Sequence, residues 1–220
     1  MDIFDRLQQS CAEDWTRYVD HSFVRQLALG TLPEEKFRAY LIQDYLFLIQ
    51  FARAQALAVF KSRSLADMRA AHRGLAAILD VEMDLHVRLC AGWGLSTSEI
   101  EAAPEHNATI AYTRFVLDCG TAGDLLDLHV ALAPCVIGYA EIARSIVAAR
   151  GEVAAEHPYR QWIAEYAGDA YQDVAEAARR QLAVLAERSM TERRFPELCA
   201  VFAKATRLEA DFWQMALDAG

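Results

Sequence analysis

The most apolar part of the 220-residue sequence lies within residues 125–146, LLDLHVALAPCVIGYAEIARSI. Its apolar side chains recur at steps of three and four residues, which is the repeat of one face of an α-helix. This face contains Leu125, Leu128, Leu132, Cys135, Tyr139, Ile142 and Ile146. Because Cys135 and Tyr139 share the face, we expect both side chains to project to the same side of a helix, toward a core.

The same repeat runs through the rest of the chain, without a sustained alternation of apolar and polar residues that would indicate strands. It predicts an all-α protein, a single-domain helical bundle over residues 1–220. Helix starts are predicted at residues 31–34, where a threonine precedes Pro33 and Glu34, and at residues 189–192. Breaks are predicted near Gly30, residues 62–64, 92–94, Pro104, residues 120–123, 151–158 and Gly168.

Charge and cysteine usage limit the class of protein. The net charge of −9 is spread along the chain, which disfavours nucleic acid and anionic membrane surfaces as partners. The apolar run of residues 130–140 contains a proline and is shorter than the ~20 residues of a membrane span. Residues 1–6 mix charges and lack the pattern of a secretory signal. Five cysteines without a CxxC pair fit free thiols in a reducing cytoplasm.

Polar residues interrupt several predicted core faces, and a buried polar group costs free energy unless it is paired. Asp44 interrupts the face of Phe37, Leu41, Leu48 and Phe51. Glu82 and His86, one turn apart and able to pair, interrupt the face of Leu75, Leu79, Leu89 and Trp93. The other interruptions are Tyr112, Cys135 with Tyr139, and Glu209. If these polar residues lie at the same height along the bundle, they enclose a polar pocket.

A thiol, two carboxylates and several rings are the groups that covalent catalysis on a flat heterocycle requires. Simpler interpretations stay open. Cys135 can be a small buried apolar side chain, and Asp44 and Glu209 can pair with basic residues at the bundle rim. Glu82 and His86 can brace the bundle or begin a di-iron site, and His21 is a candidate axial ligand for haem.

Three segments resemble motifs of the TenA/thiaminase II family. They are residues 43–47 (QDYLF), 82–86 (EMDLH) and 132–141 (LAPCVIGYAE). The similarity continues through residues 162–166 (WIAEY) to residues 209–213 (EADFW), and it covers nearly the whole chain. The Pro134-Cys135 dipeptide resembles the branch of the family that keeps its catalytic cysteine.

The resemblance implies a haem-oxygenase-like bundle, a homotetramer that uses neither cofactor nor metal. The implied activity is that of an aminopyrimidine aminohydrolase (thiaminase II) of thiamin salvage. Such an enzyme deaminates 4-amino-5-aminomethyl-2-methylpyrimidine to the hydroxymethyl pyrimidine and cleaves thiamin as a second activity.

The resemblance also implies a role for each candidate residue. Cys135 attacks the pyrimidine ring, Glu209 protonates a ring nitrogen, and Asp44 binds the 4-amino edge. The remaining substrate-binding candidates are Phe47, Tyr112, Tyr139 and Tyr166. Phe47 stands where relatives often have tyrosine, so activation of the thiol is expected to depend more on Tyr112. A regulatory or carrier protein that binds an aminopyrimidine without turnover remains an alternative.

Overall fold

The computed structural model describes residues 1–151 and 153–219, and within these ranges the only regular elements are helices. This confirms the predicted all-α class. The chain forms two compact units. The first unit comprises Met1–Leu32 and His129–Gln214, and the second comprises Pro33–Leu128 and Met215–Gly220. The single-domain boundary at residues 1–220 stays a prediction.

The helices of the first unit lie in two separate parts of the chain. Three short helices open it: α1 (Ile3–Ser10), α2 (Ala12–Val19) and α3 (Ser22–Leu29). The helices that carry its later part are α9 (Leu125–Arg150), α10 (Arg160–Ala167), α11 (Asp169–Ser189) and α12 (Phe195–Asp218). α3 ends at Gly30, which has the positive φ of 73° that favours glycine.

The second unit is built on the long helix α4 (Glu34–Lys61). It continues with α5 (Leu65–Ala77), a π-helical turn (Ile78–Glu82), α6 (Met83–Gly92), α7 (Thr97–Ala102) and α8 (Asn107–Ala122). α4 begins at Glu34 with Pro33 as its N-cap residue, so the predicted start is right to within a few residues. The predicted face of α4 is buried, including Asp44 and Phe47.

Two predictions about local structure need correction. α12 begins at Phe195 rather than near residue 190, because Thr191 first closes a separate turn in which its hydroxyl accepts a hydrogen bond from Arg194 N. The π-helical turn adds one residue to its turn and so shifts the core face. Ile78 is therefore buried, whereas Leu79, predicted to lie in the core, is 51% exposed.

Helix α9 is long and apolar enough to cross a membrane by length and composition alone. About two-thirds of its most apolar window, 67%, is buried inside the protein. Core helices of globular proteins have the same property. The apolar character of α9 is thus accounted for by the side chains that pack around it.

Candidate active site

Cys135 lies on α9 directly after Pro134, which stands inside the helix. The thiol forms no disulfide and is half-buried. Proline has no N–H to donate to the carbonyl four residues earlier, so an internal proline weakens the helix around it. Here the Tyr18 hydroxyl, from α2, donates a hydrogen bond to the carbonyl oxygen of Pro134 at 3.2 Å. A side chain from outside α9 thus supports the turn that carries the thiol.

Glycine at position 138 permits this contact between α2 and α9. A Cβ atom added to Gly138 would lie 2.4 Å from Cε1 of Tyr18 and 2.6 Å from its hydroxyl oxygen. Real Cβ atoms essentially never approach other atoms so closely. The Tyr18 ring, fully buried, therefore lies across α9 one turn from Cys135, at a place where only glycine fits without a shift.

Tyr139 belongs to a cluster of aromatic rings in the first unit. Its ring centroid lies 5.1 Å from that of Tyr166, 5.9 Å from Trp162 and 5.1 Å from Trp213. The structure thus brings together two of the three tyrosines suggested for substrate binding, Tyr139 and Tyr166. The two tryptophans were not among the predicted site residues, although both occur in the motifs at residues 162–166 and 209–213.

Glu209 lies on α12 and is only 2% exposed. It precedes Trp213 by one helical turn, so the carboxyl and the indole project to a similar side of α12. A carboxylate so deeply buried needs hydrogen-bond donors or a proton. Its position is that of a group able to exchange a proton away from bulk water. Cys135, Tyr139, Tyr166 and Glu209 all belong to the first unit.

The second unit holds the other predicted residues, and Asp44 on α4 is the most perturbed of them. Its carboxyl is 5% exposed, and its Oδ2 accepts a hydrogen bond from the Tyr40 hydroxyl at 3.0 Å. Burial raises the pKa of Asp44 to about 7, an effect that the Tyr40 hydrogen bond opposes. The side chain is therefore a neutral carboxylic acid through much of the mildly acidic range.

His86 on α6 is the partner of Asp44, which the sequence did not predict. Its Nδ1 lies 3.5 Å from Asp44 Oδ2, and its Nε2 lies 2.8 Å from the Leu41 carbonyl oxygen. Burial lowers the pKa of His86 to about 4, although the Leu41 carbonyl opposes this shift. Between pH 4 and 7 both groups are neutral, so the contact joins a carboxylic acid to a neutral imidazole. Both ring nitrogens thus lie near atoms of α4, whereas the spacing of the sequence had suggested Glu82 as the partner.

Phe47 and Tyr112 contact each other, as α4 and α8 bring their rings to a centroid distance of 5.1 Å. Gln43 fixes this pairing of helices from the α4 side. Its Oε1 accepts hydrogen bonds from His106 N at 2.8 Å and from the Thr109 hydroxyl at 2.7 Å. The start of α8 is thereby tied to the turn of α4 that carries Asp44, so Tyr112 is held against Phe47.

The five thiols differ in environment. Burial raises the pKa of Cys11 to about 11 and that of Cys90 to about 12. Neither is a nucleophile near neutral pH, because the thiolate is the reactive form. Cys119, Cys135 and Cys199 are half-buried. Among residues 1–151 and 153–219, no three His, Cys, Asp or Glu side chains are grouped so that they could hold a metal ion.

The fold recurs in solved structures. A domain of unknown function with a haem-oxygenase-like fold from Shewanella denitrificans aligns with a TM-score of 0.73 at 15% identity, over 97% of this chain and 91% of that one. At this identity the likeness shows the fold alone. The predicted haem-oxygenase-like fold is confirmed.

The sequence matches the TENA/THI-4/PQQC family over residues 8–219. The chain belongs to this family, as the motifs around Asp44, His86 and Cys135 indicated. A solved structure of a TenA family transcription regulator from Silicibacter sp. TM1040 is 42% identical, with a TM-score of 0.93, over 98% of this chain and 96% of that one.

Two curated relatives align with this chain over almost their whole length. An uncharacterised protein of Haemophilus influenzae is 41% identical over 98% of this chain and 99% of its own. An aminopyrimidine aminohydrolase of Halalkalibacterium halodurans is 36% identical over 93% of this chain and 90% of its own. Of these two relatives, one carries a named activity and the other does not.

Proposed function

We propose that the protein is an aminopyrimidine aminohydrolase that acts through a covalent adduct on Cys135. One observation carries the proposal: Cys135 is a half-buried thiol outside any disulfide, on the turn of α9 that Tyr18 contacts at Pro134 and Gly138. The two buried thiols, Cys11 and Cys90, are too weakly acidic to act as nucleophiles near neutral pH. The named activity of the 36% identical Halalkalibacterium relative supports the same class of substrate.

The proposed substrate is 4-amino-5-aminomethyl-2-methylpyrimidine. The Cys135 thiolate adds to a ring carbon while Glu209 gives a proton to a ring nitrogen, so the ring accepts the sulfur's electron pair. The amino group of the aminomethyl substituent, in its ammonium form, leaves the exocyclic methylene carbon as ammonia. Water then adds to this carbon and gives up a proton to solvent, which leaves a hydroxymethyl group. The carbon–sulfur bond then breaks, the ring proton returns to Glu209, and the hydroxymethyl pyrimidine is released. Thiamin is a second proposed substrate, with the thiazole as its leaving group.

Binding of the flat ring is assigned to the aromatic residues and to Asp44. The residues proposed to bind the ring are those that the family resemblance implies, Tyr139, Tyr166, Phe47 and Tyr112. Tyr139 lies 5.1 Å from Tyr166, and Phe47 lies 5.1 Å from Tyr112, between ring centroids. Aromatic faces pack against a heterocycle in offset or tilted geometry. Asp44 is assigned to the 4-amino group. We further propose that the protein forms a homotetramer and that it is cytoplasmic. Light scattering tests the homotetramer, which is expected to have four times the mass of one chain.

The test is a chromatographic hydrolysis assay that offers the aminomethyl pyrimidine and thiamin side by side. Wild-type protein is expected to release the hydroxymethyl pyrimidine from both. Cys135→Ser should lower kcat by at least about a thousandfold, since it removes the nucleophile. Glu209→Gln should lower kcat by about a hundredfold to ten-thousandfold, the usual contribution of a general acid.

The matched control is Cys119→Ser, which changes a half-buried thiol on α8 and is expected to keep wild-type turnover. Unchanged turnover in Cys135→Ser would refute the covalent mechanism. Tight binding of the aminopyrimidine by calorimetry, with no turnover by the wild-type protein, would favour a binding protein over an enzyme.

A further inference from the structure

The contact between Asp44 and His86 lies entirely within the second unit, between α4 and α6. A carbonyl oxygen only accepts hydrogen bonds, so the 2.8 Å contact with Leu41 O requires the hydrogen of the neutral imidazole on Nε2. Nδ1 then carries a lone pair. This lone pair faces the Oδ2 atom of Asp44, so a proton on Oδ2 has an acceptor at hand.

We propose that His86 is a positioning residue for Asp44, and that the Nδ1 lone pair, 3.5 Å away, orients the proton of Asp44 Oδ2 toward itself. This deepens the function proposed above and rests on it, because it states how the group assigned to the 4-amino edge is held in a defined protonation state. With the proton directed at His86, Oδ1 of Asp44 remains a hydrogen-bond acceptor for an amino group. Without His86, the proton is free to occupy either oxygen.

The other groups around Asp44 and His86 do not determine where this proton lies. Burial and His86 determine it. Tyr40 donates its hydroxyl hydrogen to Oδ2, and the Tyr45 ring lies 6.2 Å from the imidazole. The Cys90 thiol, also on α6, interacts electrostatically with Asp44 and stays protonated because its pKa is raised to about 12. Within the described part of the chain, no lysine or arginine forms an ion pair with Asp44. No fixed positive charge thus removes the proton.

Nuclear magnetic resonance of protein labelled with ¹⁵N-histidine tests the pair without any turnover. The chain has six histidines, so loss of a signal in His86→Gln assigns His86. We expect the hydrogen on Nε2, a neutral ring down to about pH 5, and an inflection of the Nδ1 shift near pH 7, where Asp44 loses its proton. Asp44→Asn should remove that inflection. A hydrogen on Nδ1, or no inflection near pH 7, would overturn the proposal.

Enzyme kinetics test the consequence for the substrate. His86→Leu puts an apolar side chain of similar size in place of the imidazole and provides no acceptor for the Asp44 proton. We expect KM for the aminomethyl pyrimidine to rise about tenfold, the cost of one hydrogen bond, with kcat nearly unchanged and a shifted pH dependence of kcat/KM. His86→Gln should recover much of the loss, because its amide can donate to Leu41 O and accept from Asp44.

The control variant is Tyr45→Phe, which removes a hydroxyl that contacts Glu101 and leaves the ring beside His86. It is expected to keep the wild-type KM and pH profile. A purely structural His86 would give equal losses in the leucine and glutamine variants and an unshifted profile, and that result would refute the proposal. If the wild-type protein hydrolyses no aminopyrimidine, the proposed function fails, and the resonance experiment alone decides whether His86 orients the Asp44 proton.

Discussion

The turn of α9 around Cys135 and the turn of α4 around Asp44 hold their reactive groups by different means. Near Cys135 the support is packing: Tyr18 lies across Gly138 and donates to Pro134, and aromatic rings surround Tyr139. Near Asp44 the support is polar, with Tyr40, His86 and the Leu41 carbonyl in one short series of contacts. A change of shape should therefore disturb the first turn, and a change of pH the second.

The largest expected difference concerns thiol reactivity in the two regions. At pH 8 about one Cys90 thiol in ten thousand is ionised, since its pKa is raised to about 12. Alkylation with iodoacetamide, followed by peptide mass mapping, should therefore modify half-buried Cys135 at least about a thousandfold faster than Cys90. Cys135→Ser identifies the peptide. Equal rates at the two cysteines would contradict the assignment of Cys135 as the nucleophile.

The second prediction concerns the pH dependence of stability. Burial raises the pKa of Asp44 from its ordinary value of 3.8 to about 7, so the folded protein keeps this proton up to about pH 7. Between pH 3.8 and 7 the folded state binds more protons than the unfolded chain, so the free energy of unfolding falls as pH rises. His86 acts oppositely, because its pKa is lowered from 6.5 to about 4 and the unfolded chain takes up the extra proton. In the wild type, the Asp44 and His86 contributions to the slope of the free energy of unfolding against pH therefore cancel between about pH 4 and 6.5.

Asp44→Asn removes one of the two slopes. Relative to wild type, its free energy of unfolding should rise by about 1.4 kcal/mol per pH unit between pH 4 and 7. Urea unfolding at a series of pH values measures this. His86→Gln serves as the complementary variant, and its stability relative to wild type should fall as pH rises over the lower part of the same range. Parallel curves for the three proteins would show that the pair does not titrate as described.

The third prediction tests packing around Cys135. Gly138→Ala places a Cβ atom 2.4 Å from Tyr18 Cε1, so α2 or α9 has to shift. We expect a loss of about 1–3 kcal/mol in the free energy of unfolding, the usual cost of overpacking, and lower turnover. Gly92→Ala is the matched control, because no atom lies within 4 Å of its added Cβ. Equal effects of the two substitutions would refute the close approach.

The smallest expected effect concerns a polar contact of the second unit away from Asp44. The Lys61 ammonium group donates to the carbonyl oxygens of Gly120 and Thr121 at the end of α8. Lys61→Met should cost about 1 kcal/mol through lost hydrogen bonds at a helix C-terminus. Thermal unfolding at low and high salt measures it, with Lys61→Arg as the charge-retaining control. An unchanged melting temperature in Lys61→Met would mean that solvent replaces the contact.

Helical periodicity identified the faces of α4 and α9 correctly, because both helices keep one regular repeat past Asp44 and Cys135. It failed for Leu79, since a π-helical turn shifts the repeat by one residue and no residue type marks such a turn. The start of α12 was predicted too early for a related reason. The polar signal at residues 189–192 is real, but it forms a turn of its own before Phe195.

Long-range partners were the least predictable part of the site. The spacing of Glu82 and His86 predicted a pair within one helix, yet the imidazole contacts the Asp44 carboxyl on another helix. Residue spacing within a helix cannot predict a contact with another helix. Tyr18 supports Pro134 from 116 residues away. The proximity of Tyr139 and Tyr166, in contrast, followed from the family resemblance, in which whole motifs rather than single positions are compared.

The π-helical turn at Ile78–Glu82 also makes this part of the chain tolerant of the loss of one codon. The wide turn holds about one residue more than a regular α-helical turn, so loss of one residue from it would restore a regular α-helix and leave the following helix close to its present orientation. His86 would then still face α4. An in-frame deletion at Leu79 or Asp80 is thus a short evolutionary route to a relative with the same fold and the same support for Asp44.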